Sequence, residues 1–284
     1  MRATADTVRC AVLGRPVSHS LSPVLHRAAY AALGLDGWRY DAVECSDTAL
    51  PGLVGELGTE WVGLSVTMPG KVAALQVATA VSERARAVGA ANTLVRAGEG
   101  WVADCTDIDG VAGALRAAAG FTAGKRAVLL GAGGTARAAL AGMVSLGVRE
   151  VTLVVRNAGR AAATVDCAEV LGLRVQVTGW DDGGLAERCA RAELAVNTVP
   201  ATASAMVAAA VAAAPVVLDA GYYPWPTPVA AAVTAAGGRL ASGLDMLLHQ
   251  AFGQVEQFTG RPAPRAAMRD ALREATGGTH ALPI

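Results

Sequence analysis

Short, continuously apolar runs alternate along the chain with stretches whose apolar residues recur every three or four positions, the periodicities of buried strands and of helices. Residues 9–14 read as a strand ending on Gly14, and a helix follows from Pro23 to about Leu33. Ser22 stands at the N-cap of that helix and Pro23 at its first position. Residues 38–44 alternate as a second strand, 47–57 read as a helix despite Pro51 and Gly52, and 61–67 form a third strand. Met68-Pro69-Gly70-Lys71 ends that strand and leads to a short helix, and 82–88 is helical. Residues 93–96 and 101–103 flank a glycine-containing turn as a hairpin, and 111–119 is a helix. Beyond it strands and helices alternate: 127–130, 135–146, 151–155, 160–171, 174–177, 194–197 and 216–219. That alternation is the mark of a doubly wound parallel sheet. Residues 244–258 form one amphipathic helix with Leu247, Leu248, Ala251, Phe252, Val255 and Phe258 on its core face, and 276–284 reads as a frayed tail.

The strand at 127–130 runs straight into Gly131-Ala132-Gly133-Gly134-Thr135-Ala136 and then into a helix. Strand, glycine turn and helix together make a dinucleotide-binding unit. The first glycine permits the tight turn, the second lets backbone approach a pyrophosphate, and a small residue at Ala136 lets helix and strand pack closely. The helix N-terminus offers N–H groups to the phosphates. At the end of the next strand an NAD site needs an acid for the ribose 2′-hydroxyl. This chain has Arg156-Asn157 there, Arg160 shortly after, and no acid until Asp166. A guanidinium suits a 2′-phosphate, so the cofactor expected is NADP.

Composition narrows the field. The 284 residues allow one large domain or two ordinary ones, with ample length for real cores. Net charge is zero and only 17% of residues are charged, which argues against nucleic acid as a partner. Five cysteines without a C-x-x-C spacing read as reduced thiols of a cytoplasmic protein. The four histidines form no ligand-spaced cluster, so no metal is expected. The longest apolar run is too short to span a bilayer and is broken by Pro215.

Lysine is nearly absent: only Lys71 and Lys125 occur. In a chain that otherwise uses arginine, a lysine just past a strand's C-terminal end favours a role needing a removable proton. Thr67 brings a hydroxyl to the same turn. Ser20 and Ser22 either hold a hydroxylated or carboxylate ligand or cap the following helix. Asp107 either caps its helix or pairs with Lys71 across a cleft. Asn92 and Gln250 read alone as a turn residue and a solvated helix residue.

Taken together the motifs resemble the shikimate dehydrogenase family over nearly the whole chain. Gly14-x-Pro16-x-x-His19-Ser20-x-Ser22-Pro23 resembles its substrate-serine motif, and Val66-Thr67-x-Pro69-x-Lys71 its catalytic lysine motif. Ala91-Asn92-Thr93 and Thr106-Asp107 match the substrate asparagine and catalytic aspartate segments. The glycine loop with Arg156 matches the NADP site; Asp219-x-x-Tyr222 and Gly243-x-x-Met246-Leu-x-x-x-Gln250 match late substrate and nicotinamide-side motifs. The resemblance implies NADPH-dependent, reversible reduction of 3-dehydroshikimate to shikimate on the path to chorismate and the aromatic amino acids. Lys71 and Asp107 would carry the proton transfer, and Ser20, Ser22, Thr67, Asn92, Tyr222 and Gln250 would hold the substrate. Gly131, Gly133, Gly134, Thr135, Ala136, Arg156, Asn157, Arg160, Gly243 and Met246 would hold the cofactor. The fold expected is a two-domain α/β protein: an α/β substrate domain at 1–106, completed by helices within 243–284, and a Rossmann-type doubly wound parallel sheet at 107–242. A monomer or homodimer with small-molecule partners and no membrane follows.

The chain departs from the family pattern at Ser65 and Cys105, where it usually has asparagine, at Val155-Arg156-Asn157, and at Asn197-Thr198-Val199-Pro200. A quinate or aminoshikimate dehydrogenase and a catalytically weak NADP- or metabolite-binding relative are the alternatives. A methylenetetrahydrofolate dehydrogenase is set aside, since that family's Tyr-x-x-x-Lys arrangement is missing.

Overall fold

The computed structural model describes residues 7–181 and 183–284, with Arg160 described by its backbone alone. The strands are β1 (Val8–Gly14), β2 (Trp38–Glu44), β3 (Trp61–Val66), β4 (Ala80–Val81), β5 (Thr93–Ala97), β6 (Gly100–Asp104), β7 (Arg126–Leu130), β8 (Glu150–Val155), β9 (Arg174–Gly179), β10 (Leu194–Asn197), β11 (Val216–Asp219) and β12 (Arg239–Ser242). They form two six-stranded sheets. The chain divides into two compact units, one containing the residues up to Thr106 with Gln250–Leu282 and Ile284, the other Asp107–His249 with Pro283.

In the second unit the strand order is β12-β11-β10-β7-β8-β9, and every neighbouring pair is parallel. Helices such as Gly134–Val144 supply the crossovers, and the helix Asp107–Ala117, which leads into β7, packs against Gly134–Val144. Leu129, Leu140, Met143 and Leu153 belong to one apolar cluster, and Val128, Leu130 and Val154 to another, so adjacent residues of a strand enter different clusters. That is why these strands read as unbroken apolar runs. The order reverses between β7 and β10, and a ligand crevice is expected at the carboxyl ends of these two strands.

The first unit carries a mixed sheet of order β2-β1-β3-β5-β6-β4. β1 pairs parallel with β2 and β3, and β5 runs antiparallel to both β3 and β6. Leu13, Leu25, Tyr40, Leu64 and Leu94 fill its core. The helix Gly243–Thr259 begins in the second unit and ends in the first. A Cβ on Gly63 of β3 would overlap the ring of Phe258 in that helix, so the glycine permits the helix to lie close to the sheet.

Several elements differ from the sequence reading. The first helix begins at Ser22 itself, and no side chain caps it. Ser22 is buried, while Ser20 Oγ accepts the Ser22 N–H at 3.3 Å. Asp107 is likewise the first residue of its helix, Asp107–Ala117, four residues earlier than the pattern indicated. The Asp-Gly pair at 109–110 masks helical periodicity there. The helix predicted at 47–57 shrinks to Leu50–Gly55, because Ser46 Oγ binds the Ala49 N–H and holds 46–49 as a turn. The tail is anchored rather than frayed: Leu282 is buried and the Pro283 carbonyl lies 3.1 Å from His249 Nε2. The helices Pro228–Ala235 and Arg265–Ala275 and the strand β12 were not legible. The helix Arg265–Ala275 buries only Met268 and Leu272, packing against the helix Ser22–Ala32.

All five cysteines are buried, and none forms a disulfide. Burial pushes the Cys10 and Cys189 thiols up to about 12 and Cys167 to about 11. His26 lies in the first unit, stacked at 4.0 Å on Tyr40 and 5.5 Å from Phe258. Burial lowers its pKa from 6.5 to about 3, although Gln254 at its Nε2 opposes the shift. The folded protein therefore keeps His26 neutral while the unfolded chain protonates it below its ordinary value. The associated stability is intact above pH 6.5 and is lost progressively as pH falls toward 3. We expect denaturant titrations at pH 7 and pH 5 to show wild type losing about 2 kcal/mol more than His26→Phe, from ~1.4 kcal/mol per pH unit. Equal losses in the two proteins would mean that His26 is not kept neutral.

Candidate active site

The sheet register of the first unit brings its polar residues to one end. Thr67 follows β3, and its N–H bonds the Leu13 carbonyl of β1 at 2.8 Å. Gly14 ends β1, and a Cβ there would overlap Thr67 Cγ2, so only glycine lets the two segments meet. Ser65 of β3 pairs with Thr93 of β5, which pairs in turn with Asp104 of β6. The Lys71 carbonyl accepts the Ala91 N–H at 2.8 Å, tying the lysine turn to the residue before Asn92. Thr67 and Lys71 are half-buried, as is Ser20.

Asn92 is buried at the centre of these segments. Its Nδ2 donates to Gln250 Oε1 and to Thr106 Oγ1, both at 3.0 Å. Its Oδ1 accepts the Thr106 N–H at 2.7 Å and the Thr93 hydroxyl at 3.0 Å. Gln250, which alone read as a solvated helix residue, is 5% exposed. Gln254, one turn later, was missed. Its Nε2 donates to the Asn92 carbonyl at 3.0 Å and to Thr93 Oγ1 at 3.1 Å, while its Oε1 accepts from Ser65 Oγ at 2.8 Å. The Tyr40 hydroxyl donates to Ser65 Oγ at 2.6 Å. The signal for Gln254 was present: two glutamines four apart on a face otherwise apolar.

Asp104 holds the segment that leads to Asp107. Burial raises its pKa, but hydrogen bonds from Arg84 and Ser82 and the Arg84 charge outweigh this and hold it well below the carboxylate range. Its side chain also accepts from Gln257 Nε2 at 2.7 Å, and its carbonyl accepts the Asn92 N–H at 3.1 Å. Asp107, in the second unit, is buried in the first turn of its helix, where the helix dipole favours a carboxylate.

Also in the second unit, Asp219 ends β11 and accepts from Asn197 Nδ2 at 2.8 Å and from the Thr227 hydroxyl. Burial raises its pKa, and those bonds together with the Gly221 N–H oppose the rise. The carboxylate thereby clamps both ends of the loop that carries Tyr222. Tyr222 is half-buried, and burial raises its phenol.

A cavity of about 490 Å³ opens at the carboxyl ends of β7 to β10, lined by Gly131, Ala132, Gly133, Val155, Arg156, Asn157, Trp180 and Val199. Gly131 has φ +100°, and a Cβ there would press on Thr198 and Val199, so its glycine is required by the chain itself. Gly133 differs: its φ is −91°, and a Cβ would meet nothing within 4 Å. No internal contact demands glycine there, which fits a cradle for a group outside the chain. Gly134, Thr135 and Ala136 form the first turn of the helix beyond. Among the described residues no hydrogen bond or ion pair engages the Arg156 guanidinium, and Asn157 Oδ1 accepts the Gly159 N–H at 2.9 Å. The residues present therefore fit a phosphorylated dinucleotide. The Arg160 side chain lies outside the described residues. Gly243 is required by packing, since a Cβ would overlap the Ala220 carbonyl, and Met246 belongs to an apolar cluster of the second unit. Val155 and Val199 belong to segments the sequence had associated with the cofactor; Ala132 and Trp180 were not foreseen as cavity residues.

A family model of the shikimate dehydrogenase substrate binding domain matches residues 12–94, and one of the shikimate 5′-dehydrogenase C-terminal domain matches 243–273. A shikimate dehydrogenase (NADP(+)) of Nitrobacter hamburgensis is 38% identical over 93% of each chain. The crystal structure of Mycobacterium tuberculosis shikimate dehydrogenase is 55% identical with a TM-score of 0.88, covering 94% of this chain and 99% of that one. The Thermus thermophilus enzyme in complex with NADP(H) and shikimate is 32% identical with a TM-score of 0.78, covering 94% and 99%.

The contrast between the two glycines is testable by thermal melting with and without NADP+. Gly133→Val is expected to melt like wild type alone and to lose the stabilisation by cofactor; Gly131→Ala is expected to melt lower even without it. A cofactor response retained in full by Gly133→Val would remove the cradle assignment.

Proposed function

The chain belongs to the shikimate dehydrogenase family, and from that premise we infer that it reduces 3-dehydroshikimate reversibly to shikimate, as an oxidoreductase using NADP. The observation that carries this reading is the buried array of Asn92, Gln250 and Thr106 beside the turn that bears Lys71. Carboxamides and hydroxyls in that density suit a ligand rich in hydroxyl groups, and a buried site built for such a ligand discriminates strongly against one lacking them. NADPH, when bound, supplies the hydride that reaches the carbonyl carbon of the substrate.

As that carbon is reduced, negative charge develops on the carbonyl oxygen and must be met by a proton. Lys71 is the group assigned to deliver it, and in the reverse direction to take it back. An amine can do both; a guanidinium cannot. Asp107 would fix the ammonium and accept from a substrate hydroxyl, with its charge supported by the helix N-terminus. Ser20, Ser22, Thr67, Asn92, Tyr222 and Gln250 would hold the substrate, with Gln254 keeping Asn92 in place. The glycine turn, Arg156 and Asn157 would hold the cofactor, and the side of Arg156 would select NADP over NAD. Thiols that form no disulfide accord with a reducing cytoplasm. Among the described residues no helix is long and apolar enough to cross a membrane. A monomer or homodimer is the assembly proposed.

The activity is tested by the near-ultraviolet absorbance of NADPH, with shikimate and quinate each offered with NADP+ and NAD+. Turnover is expected with shikimate and NADP+; a preference for quinate would overturn the substrate assignment. Lys71→Ala is expected to lose ~10²–10⁴-fold in kcat with KM changed far less. Lys71→Arg should restore little, and the double variant with Asp107→Asn should be little worse than the worse single one. Near-normal turnover of Lys71→Ala would move the proton transfer to another group.

A further inference from the structure

Arg156 and Trp180 occupy equivalent places on neighbouring strands. β8 and β9 run parallel with Val155 opposite Gly179, so each of the two residues lies one step beyond the last pair of the ladder. Both line the cavity that contains Gly131 and Gly133. The Arg156 Cζ lies 5.7 Å from the centroid of the indole ring. Trp180 packs against the apolar cluster that includes Val154 and Cys189, which fixes the ring. Among the described residues its solvent-shielded Nε1–H finds no acceptor.

We propose that Trp180 is a specificity-determining residue for the cofactor's 2′-phosphate, acting by holding the Arg156 guanidinium against its face. An exposed arginine with no hydrogen bond or ion pair samples many rotamers, and binding a phosphate would have to arrest them all. A guanidinium resting on an indole surrenders part of that freedom in advance, so less is lost when the ligand arrives. Tryptophan offers the strongest ring face for a cation. The ring also leaves the charge of the guanidinium unneutralised, where a carboxylate partner would compete with the phosphate. The inference rests on the reading of the cofactor as NADP and assigns the selection to two residues rather than one.

Calorimetric titration of wild type, Trp180→Phe and Trp180→Leu separates the possibilities, with NADP+, NAD+ and adenosine 2′,5′-bisphosphate as probes. Trp180→Leu is expected to weaken NADP+ and the bisphosphate by about 5- to 30-fold, the scale of a cation–π contact, while NAD+ changes by less than about twofold. Trp180→Phe keeps an aromatic face and is expected to retain most of the affinity. Placed on Arg156→Ala, Trp180→Leu is expected to add no further loss. Should Trp180→Leu fail to fold, fluorescence decides: the bisphosphate should perturb tryptophan emission in wild type and not in Trp180→Phe. Unchanged NADP+ affinity in Trp180→Leu, an equal loss for NAD+, or a fluorescence response persisting in Trp180→Phe would overturn the assignment. Wild type binding NAD+ as tightly as NADP+ would instead overturn the cofactor reading on which it stands.

Discussion

A carboxamide taken out of water must find partners for its oxygen and for both of its N–H bonds, and Asn92 is 3% exposed. Much of the first unit follows from meeting that demand. Its side chain is answered by Thr93, Thr106 and Gln250. Its main chain is answered by Asp104 and Val66 and by Gln254. One residue therefore ties the ends of β3, β5 and β6 to the helix Gly243–Thr259, although more than 150 positions separate Asn92 from Gln250 and Gln254. Removing any partner would leave a buried polar group unpaired, at about 1–3 kcal/mol. The same interaction that closes the fold thus arrays amides and hydroxyls beside the Lys71 turn.

How much of this was legible depended on whether the determining contacts are local. The parallel sheet of the second unit was readable because each strand is an apolar run bounded by turns, and the glycine loop with Arg156 announced the cofactor by its place between strand and helix. What escaped detection depends on partners distant in sequence. Gln250 looked like a solvated residue because nothing near it reveals Asn92. Ser22 looked like a cap because its place before Pro23 is local, whereas its burial comes from packing that the sequence around it does not reveal. Trp180 was read as nothing in particular, since its neighbour Arg156 is joined to it through the β8–β9 register alone. The helix Arg265–Ala275 buries only two large side chains and gives too thin a stripe to announce itself.

The glycines of the 131–134 turn show a second limit of the same kind. In sequence they are one motif, yet Gly131 answers to the chain's own backbone and side chains, whereas Gly133 answers to nothing in the chain. Internal packing accounts for the first of these glycines and leaves the second, two positions on, unexplained by the chain's own contacts. Only the space around each Cβ separates the two, and the open position lines the same cavity as Arg156, whose guanidinium has no ion pair among the described residues.

The burial of all five thiols has a chemical consequence of its own. Alkylation and peroxide attack proceed through the thiolate, and burial keeps Cys10, Cys167 and Cys189 protonated and out of reach. The folded enzyme is accordingly a poor target for electrophiles. Each cysteine reacts only when its surroundings open, and because Cys10 lies in one unit while Cys167 and Cys189 lie in the other, their separate rates of modification time the opening of each half of the molecule. An otherwise silent set of side chains becomes a pair of built-in clocks for local unfolding.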